Sequence, residues 1–336
     1  MELAELTTLR LGGPAQRYLE AGTEAELVEA VRAAEPPLLV MSGGSNLVVA
    51  DAGFPGTVVR VTTRGVERDG DRLIVAAGEP WDPLVARCVA EGLQGFECLA
   101  GIPGSTGATP IQNVGAYGQE VAETVESVRV LDRATDRVEE LPAAACGFVY
   151  RSSVFKYSDR RVVLSVTFRM RASERSGPVR YAQLARALGV PVGGTASLAD
   201  VRAAVLALRR SKGMVIDPAD PDSVSAGSFF TNPILSAEAY EELLARLGSD
   251  GPPPTFPEPD GRIKTSAAWL IERAGFHRGH GNGRAGISSK HTLALVNRGG
   301  ATTAELMALA REIAAGVRRR FGVQLVPEPV LVGHEW

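Results

Sequence analysis

The run from Gly101 to Gly118 (GIPGSTGATPIQNVGAYG) holds five glycines, several hydroxyls and two side-chain amides within eighteen residues. Such a run lets backbone N–H groups approach a ligand where a Cβ would collide, and it supplies donors suited to a pyrophosphate or a polar ring edge. A solvated linker would carry Ser, Lys and Glu instead, whereas these glycines alternate with amides and β-branched residues. A second polar turn, Ser42-Gly43-Gly44-Ser45-Asn46, directly follows an apolar run from Pro37 to Met41 and reads as another cradle. Neither segment matches the dinucleotide fingerprint G-x-G-x-x-G after a strand or the G-x-x-x-x-G-K-[ST] of phosphate loops, which argues against Rossmann and P-loop folds. A literal G-x-G-x-x-G at Gly281 to Gly286 follows a helix-like segment (269–274) and a loop; without a strand before it, it is set aside.

Other chemistries are limited by composition. The chain has 336 residues, 36 Lys and Arg against 39 Asp and Glu, and a net charge of −3, so an anionic ligand must be held by local groups and neither nucleic acid nor an anionic membrane is expected as partner. The amino terminus carries acids where a signal peptide carries bases, and no segment approaches the eighteen apolar residues of a membrane span, so the expected location is the cytoplasm. Cys88, Cys98 and Cys146 lack C-x-x-C spacing and read as buried free thiols, with no disulfide framework and no metal site. All four histidines lie from His277 onward.

The elements that position these loops alternate in type. Thr23-x-x-Glu26 is a capping box that opens a helix to about Ala34, ahead of the strand at 37–41. Strands are expected at 58–61, 73–77, 128–131 and 162–168, with a helix over 83–91. Ser197 caps a helix with Val201, Val205 and Leu208 on one face, ending in Arg209, Arg210, Lys212 and Gly213. Five prolines between Gly248 and Gly261 predict a surface loop without regular structure. Thr302-x-x-Glu305 opens the clearest helix, with Leu306, Leu309, Ile313, Val317 and Phe321 at helical spacing and Gly322 at its end; it should pack against a sheet.

The two loops, together with Tyr150-Arg151-Ser152-Ser153-Val154-Phe155-Lys156, Gly227-Ser228-Phe229-Phe230-Thr231-Asn232-Pro233 and Leu325-Val326-Pro327-Glu328, resemble the UDP-N-acetylenolpyruvoylglucosamine reductases in order and separation over nearly the whole chain. Gly107-Ala-Thr-Pro-Ile-Gln-Asn is similar to the longer of the family's two subtypes. The resemblance implies an α+β protein: a two-subdomain FAD-binding module of the vanillyl-alcohol-oxidase type and a smaller α+β substrate-binding domain. The corresponding domains are 1–63, then 64–212 joined by 322–336, then 213–321. It also implies non-covalent FAD held by Gly43, Gly44, Ser45, Asn46, Gly101, Gly104, Ser105, Gly107, Ala108, Gln112, Asn113 and Gly115. A histidyl-flavin bond in the amino-terminal half is excluded independently, because no histidine precedes His277.

The implied reaction is reduction of the enolpyruvyl ether of a UDP-sugar, with NADPH as reductant, a hydride reaching C3 and a proton reaching C2. By the same resemblance Ser228 is the proton donor, and Arg151 and Glu328 stabilise the charge that develops on the substrate carboxylate. Tyr117, Tyr181, Lys212 and Asn232 match substrate-contacting positions, and the protein is expected to be a monomer. Ser42 stands where the family commonly has glycine, Thr231 where it often has lysine, and Pro329 follows the Pro-Glu pair. Two rivals remain open at this point. A flavin oxidase or dehydrogenase acting on an alcohol or sugar would fit the glycine loops but not Ser228 and Glu328, and a nucleotide-sugar binding protein without turnover would be colourless.

Overall fold

The computed structural model describes residues 1–248, 250–281 and 283–336. Its contacts divide the chain into two compact units, one of Met1, 15–44 and 54–211, the other of 2–14, 45–53 and 212–336.

In the first unit three parallel strands form a small sheet with Phe54–Val61 between Ala15–Ala21 and Leu38–Met41. The helix Glu24–Ala33 connects the outer two. Thr23 accepts from the Glu26 amide while the Glu26 side chain accepts from the Thr23 amide, and Leu27 and Val31, one turn apart, are the residues this helix buries. A five-stranded antiparallel sheet follows, in the order Arg137–Pro142, Val125–Asp132, Arg161–Arg169, Arg72–Ala76, Val66–Asp69. Beside it Trp81, Phe96 and Phe168 form an aromatic cluster with centroid separations of 4.8 to 6.1 Å. The indole N–H of Trp81 donates to the Leu99 carbonyl, so the helix Trp81–Ala90 and the glycine-rich segment after Leu99 share one buried anchor.

The second unit is built round the helix Thr303–Phe321, which packs on a three-stranded antiparallel sheet with Ala294–Asn297 between Ser225–Ser228 and Ala285–Ile287. Leu306, Ile313, Val317 and Phe321 are fully buried on the helix face that meets Phe229, Phe230, Leu270 and Ile287. Each such side chain contributes about 1.5–3 kcal/mol by leaving water. The helix start is capped twice. Thr302 and Glu305 form a capping box, and the Asp51 carboxylate accepts from the Thr303 and Ala304 amides at 2.7 and 2.9 Å. Thr302→Ala should therefore lower the unfolding free energy by about 1 kcal/mol, measured as a shifted urea midpoint at unchanged slope.

One expectation is corrected. The proline-rich segment contains a strand, Thr255–Pro257, which pairs with Ile263–Thr265 at the edge of a second three-stranded sheet. Pro257 is tolerated there because an edge strand leaves one row of N–H positions unpaired, so a missing donor costs no ladder bond. Ser249, in the same segment, lies outside the described residues. In the second unit the carboxy-terminal strand Val330–Val332 runs parallel to Leu47–Val49. No helix among the described residues is long and apolar enough to cross a membrane.

Candidate functional site

Within the first unit the two glycine loops touch. The Ser42 hydroxyl donates to the Val61 carbonyl at 2.8 Å and lies 2.6 Å from the Ser105 hydroxyl. A Cβ on Gly43 would sit 2.9 Å from the Gly104 Cα, so only glycine permits this approach of main chain to main chain. The 101–107 loop is pinned from behind: Gly101 N–H donates to Asp82 Oδ1 (2.7 Å), Trp81 N–H to the Gly104 carbonyl (3.1 Å), and Thr106 and Gly107 N–H to Glu79 and Ala77 carbonyls (2.8 Å each). By contrast, the amides of Gly43, Gly44, Ile102 and Gly104 make no hydrogen bond to a described residue. Ala108 follows on the exposed side of a short 3₁₀ turn, and Gln112 is half-buried in the same loop. Backbone N–H groups without a partner beside glycines are donors of the kind that suit an anion such as a pyrophosphate.

Asn113 is a brace rather than a free donor. Its amide nitrogen donates to Glu120 (2.8 Å) and the Val149 carbonyl (3.1 Å), and its oxygen accepts from the Ala122 amide. Arg151 lies along the same loop, donating to the Asn113 and Gly115 carbonyls, with its guanidinium 5.0 Å from the Tyr150 ring centre. Tyr117 and Tyr181, sixty-four positions apart in sequence, meet edge to face at 5.5 Å. Burial raises the Tyr117 phenol above its ordinary range. Arg209 was read from sequence only as part of a basic helix end, yet burial pushes its guanidinium down to about 10, with Tyr117 and Asp82 opposing the shift. It remains a cation at neutral pH, facing Tyr117. A run of basic residues at a helix end gives no sign of which one turns inward.

In the second unit the backbone gathers Ser228, Glu328 and Asn46. Ser228 ends a strand opposite Ala294. Phe229 N–H donates to the Leu293 carbonyl at 2.7 Å, and the Phe229 carbonyl accepts from Glu328 N–H at 2.9 Å. Asn46, next to Ser45, accepts from Val330 N–H at 2.9 Å and donates from Nδ2 to the Glu328 carbonyl at 3.4 Å. Asn232 is engaged in structure, its Oδ1 accepting from the Ala267 amide at the start of the helix Ala267–Arg273. Lys212 follows the helix Leu198–Arg210 and precedes Gly213 at φ +66°. Arg298 donates to the carbonyls of Gly279, His280, Gly281 and Ile287, so the start of the G-x-G-x-x-G at 281–286 serves an arginine; Asn282 within that motif lies outside the described residues.

Two families match the chain: residues 15–141 match a FAD binding domain and residues 218–332 the C-terminal domain of UDP-N-acetylenolpyruvoylglucosamine reductase. A protein of Thermobifida fusca called UDP-N-acetylenolpyruvoylglucosamine reductase is 59% identical over 98% of this chain and 96% of its own. The chain belongs to the UDP-N-acetylenolpyruvoylglucosamine reductase family. A Mycolicibacterium smegmatis member is 50% identical over 98% of this chain and 94% of its own. The crystal structure of the Thermus caldophilus reductase superposes with a TM-score of 0.69 at 26% identity, covering 99% of this chain and 97% of that one. The expected α+β fold, an FAD-binding module followed by a second α+β domain, is that of the reductase family.

The donors left open between Gly43 and Gly104 fit the FAD that a reductase of this family takes. Among the described residues no cluster could hold a metal ion. The three thiols are buried, and burial pushes Cys88 and Cys98 up to about 12 and Cys146 up to about 11. Only thiolate reacts with an aromatic disulfide reagent. At pH 8 the folded protein should give essentially no fast thiol titre, and the same sample in denaturant should release all three.

Proposed function

We propose that this protein reduces UDP-N-acetylglucosamine enolpyruvate to UDP-N-acetylmuramate, a step in making peptidoglycan precursor. The observation that carries the reading is family membership over nearly the full chain; the backbone bond from Glu328 N–H to the Phe229 carbonyl, next to Ser228, supports it.

FAD, when bound, supplies the hydride chemistry, with NADPH as the reductant. The chain's own residues do the rest. The open amides of Gly43, Gly44, Ile102 and Gly104 would hold the cofactor's pyrophosphate. Hydride addition to C3 of the enolpyruvyl group places negative charge on the C2–carboxylate system, and Arg151 and Glu328 offset it, the first as a cation and the second by sharing a proton. Ser228 Oγ delivers its proton to C2. A hydroxyl is a weak acid, so it must sit within hydrogen-bond reach of that carbon in a site that stabilises the alkoxide left behind. Lys212 meets the UDP phosphates, Asn232 the sugar or uracil, and the Tyr117–Tyr181 pair a face of the nucleotide.

The test is anaerobic stopped-flow absorbance. Bleaching the flavin with NADPH and then adding UDP-N-acetylglucosamine enolpyruvate should return the oxidised spectrum rapidly. A flavin that stays bleached until air is admitted would instead favour an oxidase.

A further inference from the structure

Asp222 sits on the short turn Pro221–Ser223, just ahead of the strand that ends in Ser228, and is only 8% exposed. Its Oδ1 accepts from Ser289 N–H at 2.8 Å and its Oδ2 from the Ser289 hydroxyl at 2.6 Å, while the neighbouring Lys290 ammonium is turned to Asp220 at 2.8 Å. Burial pushes the carboxyl up, but hydrogen bonds from Ser289 and Ser288 outweigh it and hold the group below the usual carboxylate range. A buried anion served by two bonds to one residue fixes that residue firmly, because losing either bond leaves a desolvated charge.

Ser289 belongs to the turn between Ala285–Ile287 and Ala294–Asn297. That turn is tied internally, Ser288 Oγ accepting from the Lys290 and His291 amides and Ala294 N–H donating to the His291 carbonyl. Its far end is the direct support of the candidate proton donor: Leu293 accepts from Phe229 N–H, and Ala294 lies opposite Ser228. On its other side Asp222 meets the loop after Lys212, where a Cβ on Gly213 would fall 2.8 Å from the Asp222 Cβ.

From this linkage we infer that Asp222 is a positioning residue for protonation at C2: through Ser289 it sets the 288–293 turn and with it the place of the Ser228 hydroxyl. The inference rests on the reductase reading and goes beyond it, since Asp222 touches no reacting atom. Asp222→Asn keeps the shape but loses the charge and one acceptor. It should slow reoxidation of reduced flavin by the enolpyruvyl substrate about ten- to hundredfold, the scale of a small misplacement, and leave flavin reduction by NADPH within about twofold of the parent. Ser289→Ala should slow the same half-reaction less, and adding it to Asp222→Asn should cost nothing further, because both act through one contact.

Equal slowing of both half-reactions, effects that multiply in the double variant, or an Asp222→Asn protein indistinguishable from the parent would each overturn the proposal. If Asp222→Asn does not fold, Ser289→Ala alone decides, and a parental reoxidation rate in it is the overturning result. A parent flavin that the enolpyruvyl substrate cannot reoxidise defeats the reductase reading itself; normal parental turnover with a silent Asp222→Asn defeats only the positioning role.

Discussion

Ser228→Ala is expected to leave flavin reduction by NADPH nearly intact and to slow reoxidation by the enolpyruvyl substrate about 10²–10⁴-fold, the usual contribution of a positioned proton donor. The structure makes this substitution clean. The Ser228 hydroxyl has no hydrogen-bond partner among the described residues, while its backbone is held by the pairing with Ala294 and by the Phe229 bonds on either side. Alanine therefore removes an O–H and nothing that supports the strand. Stopped-flow traces of the two half-reactions separate the outcomes. Equal slowing of both would remove Ser228 from the proton-transfer step, and an unchanged reoxidation rate would move the donor elsewhere, to a water or another side chain.

Gly43→Ala is the second large effect. The new methyl would lie 2.9 Å from the Gly104 Cα, and the obstacle is backbone, held by Trp81 N–H on the Gly104 carbonyl and by the Ser42–Ser105 hydroxyl pair, so it cannot swing aside as a side chain would. Separating the loops disperses the open donors of Gly43, Gly44, Ile102 and Gly104. Overpacking of this kind costs about 1–3 kcal/mol, which corresponds to a roughly ten- to hundredfold weaker hold on FAD. The protein should purify with markedly less flavin per chain and bind added FAD more weakly in a fluorescence titration. Full flavin occupancy at parental affinity would show that the cofactor does not depend on this contact.

The elements that carry the candidate site were legible in sequence because they are announced locally. A capping box is a short-range exchange of hydrogen bonds, so Thr23-x-x-Glu26 and Thr302-x-x-Glu305 each mark a helix start, as the backbone confirms. Glycines interleaved with amides mark a loop that a ligand approaches, and the two such loops do meet. The departure at Ser42, glycine in many relatives by resemblance, has a role visible only in space: its hydroxyl spans 63 positions to reach Ser105. Likewise Asn113 looks like a ligand donor in the sequence, yet its side-chain nitrogen donates twice within the protein. An amide reads the same in sequence whether it serves a ligand or a loop.

Thus the sequence by itself determined the two glycine loops, the main helices and strands, the absence of a histidine able to anchor flavin in the amino-terminal half, and the family. Those rest on local hydrogen bonding, hydrophobic period and motif order. Only the tertiary structure decided that Glu328 bonds to the residue after Ser228, that Asp222 grips Ser289 from 67 positions away, that Arg209 turns inward, and that a proline-rich stretch contributes an edge strand. Each of these depends on which groups lose water together when distant segments pack, and no local pattern encodes that.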